Sequence, residues 1–215
     1  MPLKINEIYY SIQGESTHIG RPCIFIRLTY CNLRCSYCDT EYAFYDGKKM
    51  EVDDILKKIS QWDCNLVEVT GGEPLFQEDC IELLQKIVKR KYEVMLETGG
   101  SLSISKVPDE VIKIVDFKCP SSGMEKKNLW DIVNDLHPHD EVKFVIGNRE
   151  DFNWARDRIT EYSLDSCALA FKSRPMLYQN WHVYLTKFWT DLMKSSETND
   201  VGNDVGVILK HQSRH

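Results

Sequence analysis

Three cysteines in the run Cys31-Asn-Leu-Arg-Cys35-Ser-Tyr-Cys38 carry the clearest chemical signal in this chain. A CxxxCxxC spacing gathers three thiolates on one short loop around a single metal centre. A structural zinc ion or a fully ligated iron-sulfur cluster normally takes four protein donors, so a three-cysteine loop leaves one metal position open for a cofactor or substrate. The rival reading is a zinc knuckle closed by a distant fourth ligand, for which Cys23 and His18 are nearest in sequence. The remaining thiols, Cys23, Cys64, Cys80, Cys119 and Cys167, stand singly and read as small buried hydrophobes.

Other residues of chemical interest fall at the ends of apolar runs. In Thr70-Gly71-Gly72-Glu73-Pro74 the paired glycines let a ligand reach the backbone closely, although a tight turn explains an isolated pair as well. Glu97-Thr98-Gly99-Gly100 reads either as a second ligand-facing loop or as a helix-capping turn. Lys118 and Lys143 end strands and either approach a ligand or stay solvated. Arg27 interrupts an apolar strand; its guanidinium suits a bidentate pair with a substrate carboxylate, or a buried ion pair with Glu15 or another acid. Ile12-Gln13-Gly14-Glu15 offers amide and carboxylate groups beside a permissive glycine, or a turn after the strand at residues 5–11. Thr40, two residues after Cys38, reads by itself as an ST-turn.

The elements that must position these groups alternate between β-rich and helix-like runs, the pattern of parallel βα units. Strands are expected at residues 23–29, 66–70, 93–98, 112–118, 141–146 and 167–171, most of them continuously apolar as buried parallel strands are. Helices are expected at residues 52–62, 79–91 and 151–162, where apolar residues recur at spacings of three and four. The expected architecture is α/β, a partial TIM-like barrel of about six parallel strands whose C-terminal loops gather at one mouth. The cysteine loop follows the first of these strands, Gly71-Gly72 the second, Thr98-Gly99 the third and Lys118 the fourth.

The 215 residues, 42% apolar and 28% charged, fit one compact domain. We assign residues 1–193 to it, with residues 1–20 as an N-terminal extension and 172–193 as a divergent C-terminal part, and residues 194–215 to a polar, disordered tail. A net charge of -6 argues against a broad nucleic-acid surface and for a small-molecule substrate. The sequence has no signal-peptide core and no run of membrane-spanning length, so the expected compartment is the cytoplasm, with reduced thiols.

The cluster loop, with an aromatic residue before its last cysteine, resembles that of the radical S-adenosylmethionine enzymes. Together with Ser11-Ile12-Gln13-Gly14-Glu15, Cys38-Asp39-Thr40 and Thr70-Gly71-Gly72-Glu73-Pro74, it resembles the 7-carboxy-7-deazaguanine synthase family of the queuosine pathway. The likeness covers residues 1 to about 167 and then fades. It implies a 4Fe-4S cluster on Cys31, Cys35 and Cys38, and magnesium at Thr40. It implies S-adenosylmethionine contacts from Tyr37, Gly71, Gly72, Glu73, Thr98, Gly99 and Lys118, and substrate contacts from Ile12, Gln13, Gly14, Glu15, Arg27 and Thr70. The implied reaction begins with reductive cleavage of S-adenosylmethionine to a 5'-deoxyadenosyl radical. It continues with hydrogen abstraction from 6-carboxy-5,6,7,8-tetrahydropterin, ring contraction, return of the hydrogen and loss of ammonia. A reductase or flavodoxin-like electron donor and a homodimer are implied with it; no nucleic-acid or membrane partner is.

Two other classes stay open at this level. A glycyl-radical activating enzyme shares the cluster loop but acts on a protein and has no use for Gln13, Glu15 and Arg27 as a pterin-reading set. A non-catalytic zinc or iron-sulfur module requires a fourth protein ligand.

Overall fold

The computed structural model describes residues 2–173 and 207–210. Its chain order is β1 (Leu3–Ile12), β2 (Pro22–Leu28), β3 (Lys48–Met50), α1 (Val52–Ile59), β4 (Leu66–Gly71) and α2 (Cys80–Lys89), then β5 (Glu93–Thr98), β6 (Ile112–Phe117), β7 (Glu141–Ile146), α3 (Arg149–Tyr162), β8 (Ala168–Ser173) and β9 (Val207–Lys210). The strands form one sheet in the order β3-β1-β2-β4-β5-β6-β7-β8-β9. From β2 onward every neighbouring pair is parallel, while β1 lies antiparallel to both β2 and β3. Among the described residues the sheet runs from β3 to β9 without closing, so the barrel is open.

Seven parallel strands replace the six expected. β9 falls inside the stretch read as a polar tail, where a four-residue apolar run is too short to stand out from its surroundings. The rest of residues 174–215, including the aromatic run at Trp181, Tyr184, Phe188 and Trp189, lies outside the described residues. A second difference concerns the crossovers. Helices follow β3, β4 and β7, but β5–β6 and β6–β7 are joined by loops and short 3-10 turns, among them Trp130–Asp135. Trp130 takes the place of a packed helix there: its ring stacks on Phe117 at 4.6 Å and on Tyr162 at 4.3 Å.

Side-chain alternation divides the sheet into two faces. One face carries Ile24, Ile26 and Leu28 of β2, Val67 and Val69 of β4 and Leu96 of β5. It packs against the apolar stripes of α1 (Val52, Ile55, Leu56, Ile59) and α2 (Cys80, Leu83, Leu84, Ile87). Each such side chain contributes about 1.5–3 kcal/mol on burial. The opposite face has two layers. Near the N-terminal ends of the strands, Cys23, Phe25, Leu66, Met95 and Ile114 form a small apolar cluster. Nearer the C-terminal ends, the same faces of the same strands switch to Arg27, Glu68, Thr70, Glu97, Asp116 and Lys143, which is where chemistry is placed.

The β1–β2 connection is tied across this inner face. Gln13 hydrogen-bonds Glu68 of β4, Glu15 pairs with Lys143 of β7 and Lys172 of β8, and the Thr17 backbone N–H donates to the buried Glu141 carboxylate at 3.0 Å. An N-terminal segment thus plugs a sheet whose strands come from the whole chain.

Candidate active site

The cysteine loop leaves the end of β2 through Tyr30, which holds a left-handed φ of 78°. It packs against the loop after β4 with no room for side chains. A Cβ on Gly72 would stand 2.2 Å from the Tyr30 carbonyl oxygen and 2.9 Å from Cys31 Cβ, and one on Gly71 would stand 2.3 Å from the Leu28 carbonyl oxygen. The Gly72 and Glu73 N–H groups donate to the Leu28 and Tyr30 carbonyls at 3.2 and 2.7 Å. This glycine pair thus approaches the backbone of β2 and the cysteine loop closely.

On its other side the loop is held from β6 and α3. The Ser36 N–H and hydroxyl donate to the carbonyls of Ser122 (3.0 Å) and Ser121 (2.7 Å). Ser121 N–H and Gly147 N–H in turn donate to the fully buried Asp151 carboxylate at 2.8 and 2.7 Å. Cys31, Cys35 and Cys38 are free thiols of intermediate exposure on this braced loop. Burial, together with Asp116 and the other two thiols, pushes Cys35 up to about 11 against the pull of Lys118, and burial raises Cys31 against the Leu33 N–H that donates to its sulfur. Such thiols stay protonated until a metal supplies positive charge, so they fit metal ligands better than free nucleophiles.

Neither nominated fourth ligand is in reach. Cys23 is fully buried in the apolar lower layer at the start of β2, roughly 16 Å of strand away from the loop at about 3.3 Å per residue. His18 pairs with Glu93 at the start of β5, again at the opposite end of the sheet. Among the described residues, the group whose possible ligand atoms all lie within 4.8 Å of one another is His137, His139 and Asp140. Asp140 there is already paired with the buried Lys113 ammonium at 3.0 Å. Among the described residues, then, neither Cys23 nor His18 completes a four-ligand zinc site on the three-cysteine loop.

Several residues expected to touch S-adenosylmethionine also hold the mouth together. The Glu73 carboxylate is fully buried and accepts from Leu75 N–H (3.0 Å), Gly99 N–H (2.7 Å) and the Thr98 hydroxyl (2.9 Å). Glu73 and Thr98 therefore face each other and splice the loops after β4 and β5. Gly99 lies where a Cβ would meet Leu33 of the cysteine loop at 3.0 Å. Lys118 pairs with Asp116 at 2.9 Å, and the Tyr37 hydroxyl is buried near the same carboxylate.

On the inner face of the sheet lies a cavity of about 250 Å³ whose walls include all six expected substrate residues: Ile12, Gln13, Gly14, Glu15, Arg27 and Thr70. Glu68, Glu97 and Lys143 line it as well. Lys143 Nζ sits 2.8 Å from Glu15, against Glu97 and 3.8 Å from Asp116. Burial works against charge on each member, yet the lysine is held well above its usual value by Glu97, Asp116 and Glu15. Glu15, with burial outweighed by Lys143 and Lys172, is held down at about 2. Thr70 donates to Glu97 at 3.0 Å. Arg27 pairs with Glu7 at 2.8 Å and the Tyr9 hydroxyl at 3.3 Å, so the acid expected opposite it is Glu7 and Glu15 belongs to Lys143. Thr40 Oγ1 lies 3.7 Å from Cys38 Sγ, and Asp39 pairs with Lys172.

The chain resembles curated 7-carboxy-7-deazaguanine synthases. It is 45% identical over 166 residues to the one from Koribacter versatilis, covering 76% of this chain and 74% of the relative. It is 32% identical over 208 residues to that of Clostridium acetobutylicum, covering 94% and 92%. This chain belongs to the 7-carboxy-7-deazaguanine synthase family. The Radical SAM superfamily profile matches residues 25–118, the span from β2 through the cysteine loop to Lys118. The fold matches the crystal structure of QueE from Escherichia coli with a TM-score of 0.72 at 22% identity, covering 91% of this chain and 92% of that one. As a 7-carboxy-7-deazaguanine synthase family member the chain is a radical S-adenosylmethionine enzyme, and the family implies a 4Fe-4S cluster. The Clostridium alignment also carries the likeness past residue 167, where motif reading alone had ended it.

Proposed function

We propose that this enzyme contracts 6-carboxy-5,6,7,8-tetrahydropterin to 7-carboxy-7-deazaguanine with loss of ammonia, a step in making queuosine-type 7-deazapurines. The observation that carries the reading is a cavity on the inner face of the sheet lined by paired cations, buried carboxylates and the Gln13 amide, in a chain whose three-thiol loop has neither Cys23 nor His18 within reach. Cys31, Cys35 and Cys38 would hold the 4Fe-4S cluster. Bound there with S-adenosylmethionine, it supplies reductive cleavage of the cofactor and a carbon radical able to abstract hydrogen.

The chain's own groups place the substrate. Arg27 and Lys143 are the cavity cations suited to a carboxylate, Gln13 and Thr70 give neutral polar contacts, and Phe25 and Ile114 give apolar wall. The Lys143 network holds Glu15 and Glu97 as carboxylates. Fixing the ring against the mouth and keeping water out converts a reactive radical into a selective one.

Magnesium belongs to this reading, with Thr40 supplying a hydroxyl and the substrate carboxylate and water completing the shell. Gly71, Gly72 and Gly99 would present backbone to S-adenosylmethionine, with Tyr37 and Lys118 beneath. An external reductase or flavodoxin-like protein would supply the electron. We place the enzyme in the cytoplasm; no helix among the described residues is long and apolar enough to cross a membrane. A homodimer is part of the same proposal, with exposed Tyr10, Ile12 and Ile19 as apolar surface for it.

The test is anaerobic turnover of the cluster-loaded protein with S-adenosylmethionine, magnesium, a strong reductant and 6-carboxytetrahydropterin, read by mass spectrometry and ammonia assay. Equal amounts of 7-carboxy-7-deazaguanine and ammonia are expected, with a strong fall in rate for Thr40→Val. Accumulation of 5'-deoxyadenosine without the deazapurine would contradict the substrate assignment.

A further inference from the structure

Three carboxylates line the cavity, Glu15, Glu68 and Glu97, and the cations are divided unevenly among them. Lys143 takes both Glu15 and Glu97, Lys172 takes Glu15 a second time, and Arg27 is taken by Glu7. Glu68 is 5% exposed and, among the described residues, forms no ion pair; its recorded partner is the neutral Nε2 amide of Gln13, which donates to one of its oxygens. That amide cannot turn away, because Gln13 Oε1 accepts the Glu15 N–H at 2.9 Å.

A buried carboxylate without a cation is costly to keep, and the cost falls when donors arrive. Burial and the neighbouring Glu97 already push Glu68 up to about 8. A carboxylate has about four acceptor positions and Gln13 fills one, so an edge with two parallel N–H groups fits what remains. Glu68 stands between Phe25 of β2 and Met95 of β5 in register, one residue pair below Arg27 and Thr70. Phe25, stacked on Tyr9 at 5.0 Å, gives a flat wall beside it.

We propose that Glu68 is a specificity-determining residue that accepts the paired ring N–H and exocyclic amine of a 2-amino-4-oxopyrimidine edge, leaving the substrate's carboxylate end to the cavity cations. The proposal rests on the pterin reading above. Glu68 then rejects rings that carry an oxygen in place of the amine, because two acceptors would face each other.

The experiment is equilibrium binding by calorimetry to the cluster-loaded enzyme, without reductant, using pterin-6-carboxylate and lumazine-6-carboxylate, which differ in amine against oxygen at position 2. The wild-type enzyme should prefer the pterin by at least about tenfold, one bidentate contact's worth. Glu68→Gln, which keeps its acceptor for Gln13, should lose most of that preference. Glu68→Asp, which keeps the charge but withdraws it, should bind more weakly and still prefer the pterin. Equal weakening of both ligands in Glu68→Gln, an unchanged preference, or a wild-type enzyme that binds both alike would each overturn the assignment of Glu68. Failure of the wild-type enzyme to bind either ligand would instead overturn the pterin reading itself.

Discussion

Buried charge does two jobs in this chain: Asp151, Glu141 and Glu73 brace the scaffold, while Arg27, Glu68 and Lys143 line the cavity. Cys31, Cys35 and Cys38 announce themselves by spacing, and Arg27 by interrupting an apolar strand. Glu68 sits in the equally apolar Leu-Val-Glu-Val-Thr of β4 and carried the same signal, since an acid in a buried parallel strand needs a reason. Glu73 belongs to the glycine motif that follows, and its carboxylate accepts from three donors inside the protein. Two outcomes follow at this scale. Changing any one of the three cysteines to Ala should lower iron after reconstitution from about four per chain to a small fraction of that. The second outcome concerns pH. Glu68 has a folded value raised to about 8 from 4.5, so the stability it contributes is fully present below pH 4.5 and is lost as pH rises through about 8. Urea midpoints should accordingly fall more steeply over that range for the wild-type protein than for Glu68→Gln; parallel curves would contradict the buried, proton-holding state of Glu68.

Among the elements, continuous apolar runs predicted the six central strands to within a residue or two, and the stripes of three and four predicted α1, α2 and α3. Residues 99–111 and 119–140 resist such reading because neither periodicity is present; Pro108, Pro120 and the serines at 101, 103 and 105 break both, and aromatic stacking on Trp130 replaces a helix. The relation between loops was equally illegible, since Gly72, Ser36, Ser121 and Asp151 meet only through the fold. It carries a graded prediction. Gly72→Ala forces the cysteine loop aside and should cost about 2–4 kcal/mol in stability, together with most of the cluster. Asp151→Ala leaves two N–H groups and a hydroxyl without their acceptor, should cost about 1–3 kcal/mol, and should speed cluster loss although it touches no cysteine. Thermal melts and the decay of the cluster's visible absorption measure both; normal cluster retention in Asp151→Ala would show that this brace is not needed.

For the whole molecule, period-two alternation places an apolar layer low in the open barrel and a charged layer high, so the site is polar where loops give access and dry beneath. The β1–β2 loop makes this arrangement specific, linking Gln13, Glu15 and Thr17 to β4, β7, β8 and the buried Glu141. The open-barrel class was legible from strand and helix order, as was the strand at residues 5–11; β3 and β9 were not, being short strands of three and four residues with no sequence period. The central claim is that the pterin sits in this cavity next to a metal centre that lacks a fourth protein ligand. The most direct measurement is a crystal structure of the cluster-loaded enzyme grown without oxygen, with S-adenosylmethionine and pterin-6-carboxylate. The account predicts a cluster held by Cys31, Cys35 and Cys38 alone, and the pterin between Arg27 and Glu68. A fourth protein ligand on the metal, or a pterin bound outside the cavity, would contradict it.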